Sequence, residues 1–315
     1  MISFGPIPSR RLGSSLGINN IPHKYCSYGC AYCQIGHTNH MSIIRQKFYG
    51  PEKIFRDVYD WIRQVRGKKQ PIDYLSFVPD GEPTLDMDLG REIRLLRPLG
   101  YRIAVFTNGA LLTEAAVRQD LMNADLVSLK IDAMAQKTWR LLDRPHGHLN
   151  LQQIREGMLQ FAAEFSGKLI TETMLVDQIN DRPPQLKPIG KFLRQLQPDT
   201  AYITAPTRPP AEPWACPPTQ EQLRLAYEIL SELYPKIECL FSEKEAEFGF
   251  TGNAEADLLR TTAVQPMSYR SVEALLAKDK AGWDTIYRLI ARGDLREVRY
   301  RKRRFYVRRF DKKNH

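Results

Sequence analysis

The stretch KYCSYGCAYCQIGH, residues 24–37, holds three of the five cysteines of this 315-residue chain. Cys26, Cys30 and Cys33 follow the spacing C-x3-C-x2-C, whereas Cys216 and Cys239 lie far from them in the sequence. A structural zinc site is usually closed by four ligands, a ferredoxin-type cluster takes four thiolates, and a disulfide framework uses an even number of cysteines. Three thiolates on a four-iron cube leave one iron open, and an open metal position is where chemistry takes place. The loop therefore predicts a reactive iron–sulfur site.

Strand-like and helix-like segments alternate from about residue 15 to residue 240, which favours an α/β fold built on a parallel sheet. The six predicted strands have the sequences SLGINNI, IDYLSFV, YRIAVFT, DLVSLKI, KLITETMLV and TAYITAP. The polar segments that follow them are, in order, the cysteine loop, PDGEPT, TNG, KID, DQIND and APTRPP. Because the carboxyl ends of parallel strands meet on one rim, we expect these six segments to lie together.

The sequence pattern changes after residue 250. Three short helical segments come first, and two alternating strands, LREVRY and RFYVRRF, follow with the basic turn 301–303 between them. Three helices followed by a basic hairpin are typical of a winged helix-turn-helix. We therefore predict two domains, residues 1–245 and residues 252–315.

The net charge of the chain is +10, and most of it is concentrated at the C-terminal end. Residues 266–315 contain 15 lysines and arginines against 6 acidic residues, so the remaining chain is almost neutral. Tyr300, Phe305, Tyr306 and Phe310 alternate with these charges, and phosphate attraction combined with aromatic stacking is typical of nucleic-acid binding. The segment therefore predicts a polyanionic partner, in the first place a nucleic acid. A solvated basic surface, or a peptide-binding or oligomerisation module, stays an alternative at this point.

The cysteine spacing resembles that of the radical S-adenosylmethionine (radical SAM) superfamily, and the resemblance extends over about residues 1–240. It implies a partial (βα)6 TIM-like barrel that carries a [4Fe–4S] cluster on Cys26, Cys30 and Cys33. In that superfamily the fourth iron binds the amino and carboxylate groups of SAM, and an electron from the cluster cleaves SAM to a 5′-deoxyadenosyl radical. The radical then abstracts a hydrogen atom from the substrate. A flavodoxin- or ferredoxin-like reducing partner is implied as well.

The same resemblance implies a binding site for SAM on the rim. The aromatic residue before the third cysteine, Tyr32, is expected to lie against the adenine. Gly81 and Glu82 resemble the glycine–glutamate segment that holds the SAM amino group, although an aspartate precedes them where a second glycine is often found. Lys130 and Asp132, at the end of the fourth predicted strand, occupy the region that contacts the SAM ribose or carboxylate. No further catalytic side chain is identified.

The segments GPIPSRRLGSSLGIN and GEPTL are similar to those of the branch that contains the radical enzymes of wybutosine synthesis on tRNA. This similarity implies a modification of RNA. Two other functions stay open: a peptide- or protein-modifying radical SAM enzyme whose winged helix holds its partner, and a cluster-bearing DNA-binding regulator. The GEPT segment and the six-strand rim argue against the regulator, because a sensor needs no SAM site.

Several other residues have both a functional and a structural interpretation. Arg10 and Arg11 would contact SAM or an anionic substrate, or they would form a solvated N-terminal arm. Cys216 would be a further cluster ligand or a hydrogen-atom donor, but an ordinary free thiol is the favoured prediction. Cys239 lies in an apolar run and is predicted to be a core thiol. Surface positions are favoured over ligand roles for four histidines: His37, His40, His146 and His148.

The composition indicates where in the cell the protein would be found. The start, MISFGPIPSRRLG, has no apolar core of signal-peptide length, and no run of about 18 apolar residues occurs in the sequence. Clustered free cysteines agree with a reducing compartment. We therefore expect a cytoplasmic protein with no membrane contact.

Overall fold

The computed structural model describes residues 2–9, 11–66, 70–78, 80–240 and 250–309. Arg10, the segment 241–249 with the predicted domain boundary, and residues 310–315 with Phe310, Lys312 and Lys313 lie outside these ranges. The strands are β1 (Ser3–Ser9), β2 (Gly13–Ile18), β3 (Tyr25–Cys26), β4 (His40–Met41), β5 (Tyr74–Phe77), β6 (Arg102–Thr107), β7 (Leu126–Lys130), β8 (Lys168–Met174), β9 (Thr200–Thr204), β10 (Ile237–Cys239), β11 (Met267–Ser268), β12 (Leu295–Tyr300) and β13 (Arg303–Arg308). The helices are α1 (Pro51–Arg66), α2 (Leu89–Leu96), α3 (Ala115–Leu121), α4 (Gln136–Leu142), α5 (Leu151–Glu164), α6 (Pro183–Leu196), α7 (Gln220–Leu233), α8 (Ala254–Val264), α9 (Tyr269–Lys278) and α10 (Asp284–Ala291).

Eight strands form the main sheet, in the order β1-β2-β5-β6-β7-β8-β9-β10. β1 and β2 pair antiparallel, and every other neighbouring pair in this sheet is parallel. The six predicted strands are confirmed as β2 and β5–β9, which lie side by side in chain order. The sequence does not predict the two outer strands, because Pro6 and Pro8 interrupt β1 and β10 has only three residues. No pairing joins β1 to β10 in the described part of the chain, so the sheet is open.

Local sequence explains where several helices begin. Pro51 stands in the first turn of α1, where its missing N–H is not needed. The Asn150 side chain accepts two backbone N–H groups at the start of α5, and Thr219 forms a capping box with Gln222 at the start of α7. No helix in the described ranges combines the length and the apolar character that crossing a bilayer requires.

The parallel sheet buries side chains on both faces. Ile103 and Val105 of β6 belong to the main core, together with the apolar stripe of α1 (Ile54, Val58, Trp61, Ile62 and Val65). Ala104 lies between them in the strand and therefore points to the opposite face. There it packs in a second cluster with Leu12, from the turn between β1 and β2. This turn covers the second face of the sheet, so the alternative in which Arg11 belongs to a solvated arm is wrong.

The C-terminal elements form a smaller core. They follow one another as α8, β11, α9, α10, β12 and β13, and the three strands pair antiparallel in the order β11-β13-β12. The Arg260 guanidinium of α8 lies 4.0 Å from the centre of the Trp61 ring and donates to the Ser3 carbonyl oxygen (3.2 Å). The smaller core thus packs against β1 and α1. Its buried apolar residues include Leu258, Met267, Val272, Leu275, Ile286, Leu289, Leu295 and Tyr306.

Two predictions from the sequence about side-chain exposure are wrong. Phe305 and Tyr306 are buried and offer no stacking surface for bases, because Tyr306 packs in the C-terminal core and Phe305, on the other face of β13, packs edge to face on Tyr300. Cys239 is exposed instead of buried, because β10 is an edge strand in which only Ile237 is buried.

Candidate functional site

The loop with the three cysteines lies against the segment that follows β5. The backbone N–H of Glu82 donates to the Tyr25 carbonyl oxygen (2.9 Å). A Cβ atom on Gly81 would lie 1.7 Å from that same oxygen. Position 81 therefore requires glycine, because the cysteine loop passes where a side chain would be. The first two segments of the predicted rim lie together, as expected.

Asp80 holds the beginning of the same loop. Its carboxylate accepts a hydrogen bond from the side-chain amide of Asn19 (3.0 Å) and lies 3.2 Å from Nδ1 of His23. Its carbonyl oxygen accepts the N–H of Lys24 (3.0 Å). Asn19 follows β2, whereas His23 and Lys24 lead into Cys26, so Asp80 joins the strand end to the cysteine loop. The aspartate that stands in place of a second glycine is thus part of the framework of the site.

The Glu82 carboxylate joins two segments of the rim. Oε1 accepts hydrogen bonds from the Thr84 N–H (3.1 Å) and hydroxyl (2.6 Å) and from the Thr107 hydroxyl (2.6 Å). Oε2 accepts the N–H of Asn108 (2.8 Å). Desolvation raises the pKa of this fully buried carboxyl, while the four hydrogen bonds oppose the rise. Glu82 therefore fixes the position of the segment after β6 relative to the segment after β5.

Asn108 continues this connection to the cysteine loop. Its side-chain amide donates to the Ser27 hydroxyl (2.9 Å) and lies 3.8 Å from Sγ of Cys26. The sequence places TNG on the rim but gives no sign that its threonine and asparagine are the partners of Glu82. Pairing between two loops far apart in sequence leaves no local pattern by which it could be found.

The surroundings of the three thiols fit an iron–sulfur cluster better than a single metal ion. Within the described residues, no group of three His, Cys, Asp or Glu side chains is placed to hold one ion. A four-iron cluster needs no such convergence, because each thiolate binds a different iron. Hydrogen-bond donors face the sulfur atoms: the Tyr28 N–H lies 3.5 Å from Cys26 Sγ, and the Lys24 ammonium lies 3.3 Å from Cys33 Sγ. Donors to sulfur stabilise an anionic cluster.

Desolvation favours the protonated form of two of the three thiols when no metal ion is bound to them. It raises the pKa of Cys26 to about 12, with a further contribution from the Glu82 carboxylate. Desolvation, and then the charge of Asp143, also raise the pKa of Cys30 well above its ordinary value. A coordinated metal ion deprotonates its thiol ligand. Cluster binding at this loop is therefore expected to release protons.

Tyr32 joins the cysteine loop to the end of β7. Its hydroxyl donates to Asp132 and lies 3.2 Å from Oδ1 of Asp143, while the Lys130 ammonium lies 4.9 Å from the centre of its ring. Burial, and then the charge of Asp132, raise the pKa of Asp143 well above its usual range. The structure thus brings the three residues Tyr32, Lys130 and Asp132 together beside Cys30.

Lys130 and Arg11 both form ion pairs with Glu172 of β8. The Lys130 ammonium lies 2.7 Å from its Oε1, and the Arg11 guanidinium pairs with its Oε2. Burial alone would raise the pKa of Glu172, but the charges of Lys130 and Arg11 outweigh it and lower the pKa to about 2. The only signal in the sequence is that Glu172 is the one acidic residue of the predicted strand KLITETMLV. Arg11 thus binds a protein carboxylate.

Glu172→Gln is expected to lower the free energy of unfolding by about 3 kcal/mol, because two enclosed cations lose their counter-charge. The folded pKa of about 2 lies below the ordinary value of about 4.3. The carboxylate therefore stabilises the fold above about pH 4.3, and this contribution is lost as the pH falls towards 2. Urea unfolding at neutral and acidic pH measures both effects. The control is Glu228→Gln, which removes an exposed ion pair with Arg224 and should change the free energy of unfolding little. Equal losses of unfolding free energy in the two variants would contradict the role assigned to Glu172.

The segment 205–218, called here the β9 loop, covers the cysteine loop from the other side. The Glu212 N–H donates to the Ala31 carbonyl oxygen (2.9 Å), and the Glu212 carboxylate pairs with Arg144 (2.5 Å). Ala215 is buried with Ala31 and Tyr32. The β9 loop therefore helps to enclose the third cysteine and the tyrosine before it.

The remaining residues singled out from the sequence have ordinary surroundings. Cys216 is exposed, and its thiol donates to the Pro213 carbonyl oxygen (3.4 Å). His37 is exposed and lies 3.8 Å from Glu212. His40 stacks on Tyr25 with ring centres 4.6 Å apart. His146 and His148 pack edge to face, 5.2 Å apart.

Known proteins are similar to this chain in sequence and in fold. The family model of the radical SAM superfamily matches residues 20–185 of the chain. The UPF0026 protein MJ1312 of Methanocaldococcus jannaschii is 42% identical over 308 residues, which cover 97% of this chain and 95% of that protein. A radical SAM methyltransferase from Sphaerobacter thermophilus has a TM-score of 0.57 at 16% identity, over 73% of this chain and 67% of that chain. TYW1 with a lysine-pyruvate adduct bound has a TM-score of 0.54 at 13% identity, over 70% of this chain and 75% of that chain. At these identities the two solved structures are similar in fold alone.

Proposed function

Because the chain belongs to the radical SAM superfamily and to the UPF0026 family, we propose that it cleaves SAM reductively at a cluster held by Cys26, Cys30 and Cys33. As a radical SAM enzyme it uses a [4Fe–4S] cluster and SAM. When bound and reduced, the cluster supplies the electron that converts SAM into methionine and a 5′-deoxyadenosyl radical. The observation that carries the proposal is the fit of the three-thiol loop onto the Gly81–Glu82 segment at the carboxyl rim of the sheet.

Release of 5′-deoxyadenosine tests this proposal. The purified protein is reconstituted anaerobically with iron and sulfide, reduced, and incubated with SAM. We expect 5′-deoxyadenosine and methionine in equal amounts, and neither product when the reductant is left out. A reconstituted protein with full iron content that forms no 5′-deoxyadenosine would contradict the proposed reaction.

We assign the SAM amino group to Glu82. Oε2 of this carboxylate accepts one hydrogen bond from the described residues, from Asn108, so it keeps acceptor capacity for an ammonium group. The Tyr32 ring is assigned to the adenine. Lys130 and Asp132 are assigned to the SAM ribose or carboxylate, since both flank Tyr32 at the end of β7. Gly81 serves the site by letting the cysteine loop approach.

Glu82→Ala is expected to weaken SAM binding while the iron content stays intact. A hydrogen bond to a charged group contributes about 1.5–3 kcal/mol, which corresponds to at least a tenfold loss of affinity. Calorimetry with SAM and an iron assay are carried out on the same preparation. Thr84→Val is the control, because it removes one donor to Glu82 but keeps the carboxylate. If Glu82→Ala binds SAM as tightly as Thr84→Val and the unsubstituted protein do, the SAM amino group lies elsewhere.

Lys24 is assigned to tuning the cluster's reduction potential. Its side chain is 3% exposed, and its ammonium contacts Cys33 Sγ (3.3 Å) and the Gly36 carbonyl oxygen (2.6 Å). It forms no ion pair with a carboxylate of the described residues. A buried cation beside the sulfur ligands favours the reduced, more negative form of the cluster.

Lys24→Met is therefore expected to make reduction of the cluster at least tenfold less favourable, which is a shift of about 59 mV to more negative potential for one electron. A redox titration followed by electron paramagnetic resonance measures the midpoint potential directly. Lys47→Met removes an exposed lysine and is expected to leave the potential unchanged. A midpoint potential for Lys24→Met equal to that of the unsubstituted protein would remove Lys24 from this role.

We further propose that the open sheet with its helices is a partial (βα)6 barrel, residues 1–245, and that residues 252–315 form a winged helix that holds an RNA substrate. The order helix–strand–helix–helix–strand–strand, with an antiparallel three-stranded sheet, supports the winged helix. The excess of lysine and arginine in residues 266–315 supports a polyanionic substrate. A cytoplasmic location and a flavodoxin- or ferredoxin-like electron donor complete the proposal. Incubating the reduced enzyme with SAM and cellular RNA, followed by mass spectrometry, tests the choice of substrate.

A further inference from the structure

The carboxyl groups of Asp86 and Glu92 lie in contact in the interior of the protein, next to the segment that carries Glu82. Asp86 directly follows the helical turn Pro83–Leu85, and Glu92 belongs to α2. Neither residue has exposed surface, and a hydrogen bond joins the two carboxyl groups. Because a carboxylate can only accept hydrogen bonds, this bond requires that one of the two acids carries a proton. We call the two residues the acid pair.

The other hydrogen bonds of the acid pair show which atoms share the proton. Oδ1 of Asp86 accepts the N–H of Asp88 (3.0 Å), and Oε2 of Glu92 accepts the side-chain amide of Asn20 (3.2 Å). Each carboxyl keeps one buried oxygen, Oδ2 of Asp86 and Oε1 of Glu92, that accepts no hydrogen bond from an N–H or hydroxyl group of the described residues. One proton between these two oxygens satisfies both.

The surroundings of the two acids place the proton on Glu92. Burial raises the pKa of both carboxyls. For Asp86 the N–H of Asp88 and the charge of Arg45 oppose the rise in pKa. For Glu92 the charge of Asp86 adds to the rise, and although the Asn20 amide opposes it, the pKa lies well above the neutral range. Glu92 is therefore the donor and Asp86 the acceptor of the hydrogen bond between them.

The charged groups on the neighbouring elements do not replace this proton. The Arg45 guanidinium forms an ion pair with Asp120 of α3 (2.5 Å). α1 packs on α2, and the two helices are joined on the surface by the ion pair of Glu52 with Arg91. Asp88 raises the pKa of both acids by its negative charge. The cation nearest in sequence and structure, Arg45, is thus engaged by a carboxylate outside the acid pair.

Asn20 connects the acid pair to the segment that carries Glu82. This residue follows β2 and has no exposed surface. Its side-chain amide donates both to Glu92 (3.2 Å) and to the Pro83 carbonyl oxygen (3.3 Å). Pro83 directly follows Glu82. A displacement of the Glu92 carboxyl is therefore passed to the backbone next to Glu82 through one side chain.

Arg45 holds the other end of the same segment. Its guanidinium donates to the carbonyl oxygens of Thr84 (2.9 Å) and Asp86 (2.8 Å). The Thr84 hydroxyl in turn donates to the Glu82 carboxylate (2.6 Å). The backbone that supports Glu82 is thus fixed to the acid pair at two points.

We propose that Asp86 and Glu92 share one proton at neutral pH and that this proton keeps Glu82 in position for the SAM amino group. The acid pair has a positioning role, because it acts through Asn20 and the backbone of residues 83–86. The part of this inference that concerns SAM rests on the proposed function. The shared proton itself does not depend on SAM and is tested without it.

Glu92→Gln tests the shared proton, because a glutamine amide is neutral, has nearly the same shape as a protonated glutamate and can also donate to Asp86. In the unfolded chain a glutamate is ionised above about pH 4.3. Folded Glu92 keeps its proton, so the folded state binds one proton more than the unfolded state, and the stability of the unsubstituted protein falls as the pH rises. The variant lacks this contribution. Urea unfolding should therefore show that the unfolding constant of the unsubstituted protein, divided by that of Glu92→Gln, rises about tenfold per pH unit from about pH 7 to pH 9.

Glu156→Gln is the control, because it removes an exposed glutamate of α5. The corresponding ratio should stay constant with pH for this variant. Infrared difference spectra at neutral pH should show that Glu92→Gln loses a protonated carboxyl band, which Glu156→Gln keeps. A pH-independent ratio for Glu92→Gln, or an unchanged carboxyl band, would overturn the shared proton. Failure of Glu92→Gln to fold would overturn it as well, since a cation bound between two carboxylates predicts that result.

SAM binding to the reconstituted protein tests the positioning role. Glu92→Gln should bind SAM as the unsubstituted protein does. Glu92→Leu leaves the Asp86 carboxylate and the Asn20 amide without their partner, and Asn20→Ala removes the connection to Pro83. Each of these two variants should lose about tenfold or more in SAM affinity by calorimetry, with thermal melting as the check on folding.

The outcomes of the two experiments are separable. Unchanged SAM affinity in Asn20→Ala, or in a folded Glu92→Leu, would overturn the positioning role of the acid pair. If no variant and not even the unsubstituted protein binds SAM, the proposed function fails, while the dependence of the unfolding ratio on pH still decides whether the proton is shared.

Discussion

Replacing any one of Cys26, Cys30 or Cys33 by alanine is expected to abolish both iron binding and formation of 5′-deoxyadenosine. The protein supplies three thiolates to the cluster under the proposed function. Loss of one would leave a second iron without a protein ligand, and cluster assembly depends on each thiolate. Iron and acid-labile sulfide per chain, the visible absorbance after reconstitution, and the release of 5′-deoxyadenosine measure the effect.

Cys216→Ala is the matched control for these variants. Cys216 is exposed, and its thiol donates to a backbone carbonyl oxygen, so its loss should leave the iron content unchanged. If Cys216→Ala lost iron as the loop variants do, Cys216 would be a fourth ligand and the open position would have to be abandoned. If a variant without all three loop thiols still cleaved SAM, the cluster assignment itself would be wrong.

Gly81→Ala is expected to remove most of the iron from a protein whose own cysteines are all intact. The new methyl group would lie 1.7 Å from the Tyr25 carbonyl oxygen and 2.9 Å from a side-chain carbon of Ile21. The backbone of the cysteine loop would have to move away, since a carbonyl oxygen cannot rotate out of contact as a flexible side chain can. Forced overpacking of this kind costs about 1–3 kcal/mol of stability. Iron content and the thermal midpoint are measured on the same sample.

Gly147→Ala provides the comparison for the glycine variant. A Cβ atom at position 147 would meet nothing within 4 Å, so iron content and thermal midpoint should both stay unchanged. Normal iron content in Gly81→Ala would show that the loop has room to adjust. In that case Gly81 would have to serve the site in another way.

Much of the sheet could be predicted from the sequence, because the signals that define it are local. The β-branched runs that became β2 and β5–β9 alternate with amphipathic helices, and crossover connections place such strands side by side in parallel. The carboxyl ends of parallel strands lie on one edge of the sheet. The cysteine loop, the GEPT segment and TNG each follow such a strand, so the sequence was enough to place them together on that edge. The spacing of Cys26, Cys30 and Cys33 needed no tertiary information, since three thiols within eight residues are close in any compact loop.

The tertiary structure alone decided which side chains meet across the rim and which are covered. The pairs Glu82 with Asn108, Lys130 with Glu172 and Arg11 with Glu172 each join residues more than twenty positions apart. Hydrogen bonds and ion pairs over such separations leave no periodic pattern in the chain. Exposure of Cys239 depended on the position of its strand at the edge of the sheet. That position is set by the neighbouring strands and not by the strand's own residues, and for this reason the sequence by itself determined the rim but not the contacts made on it.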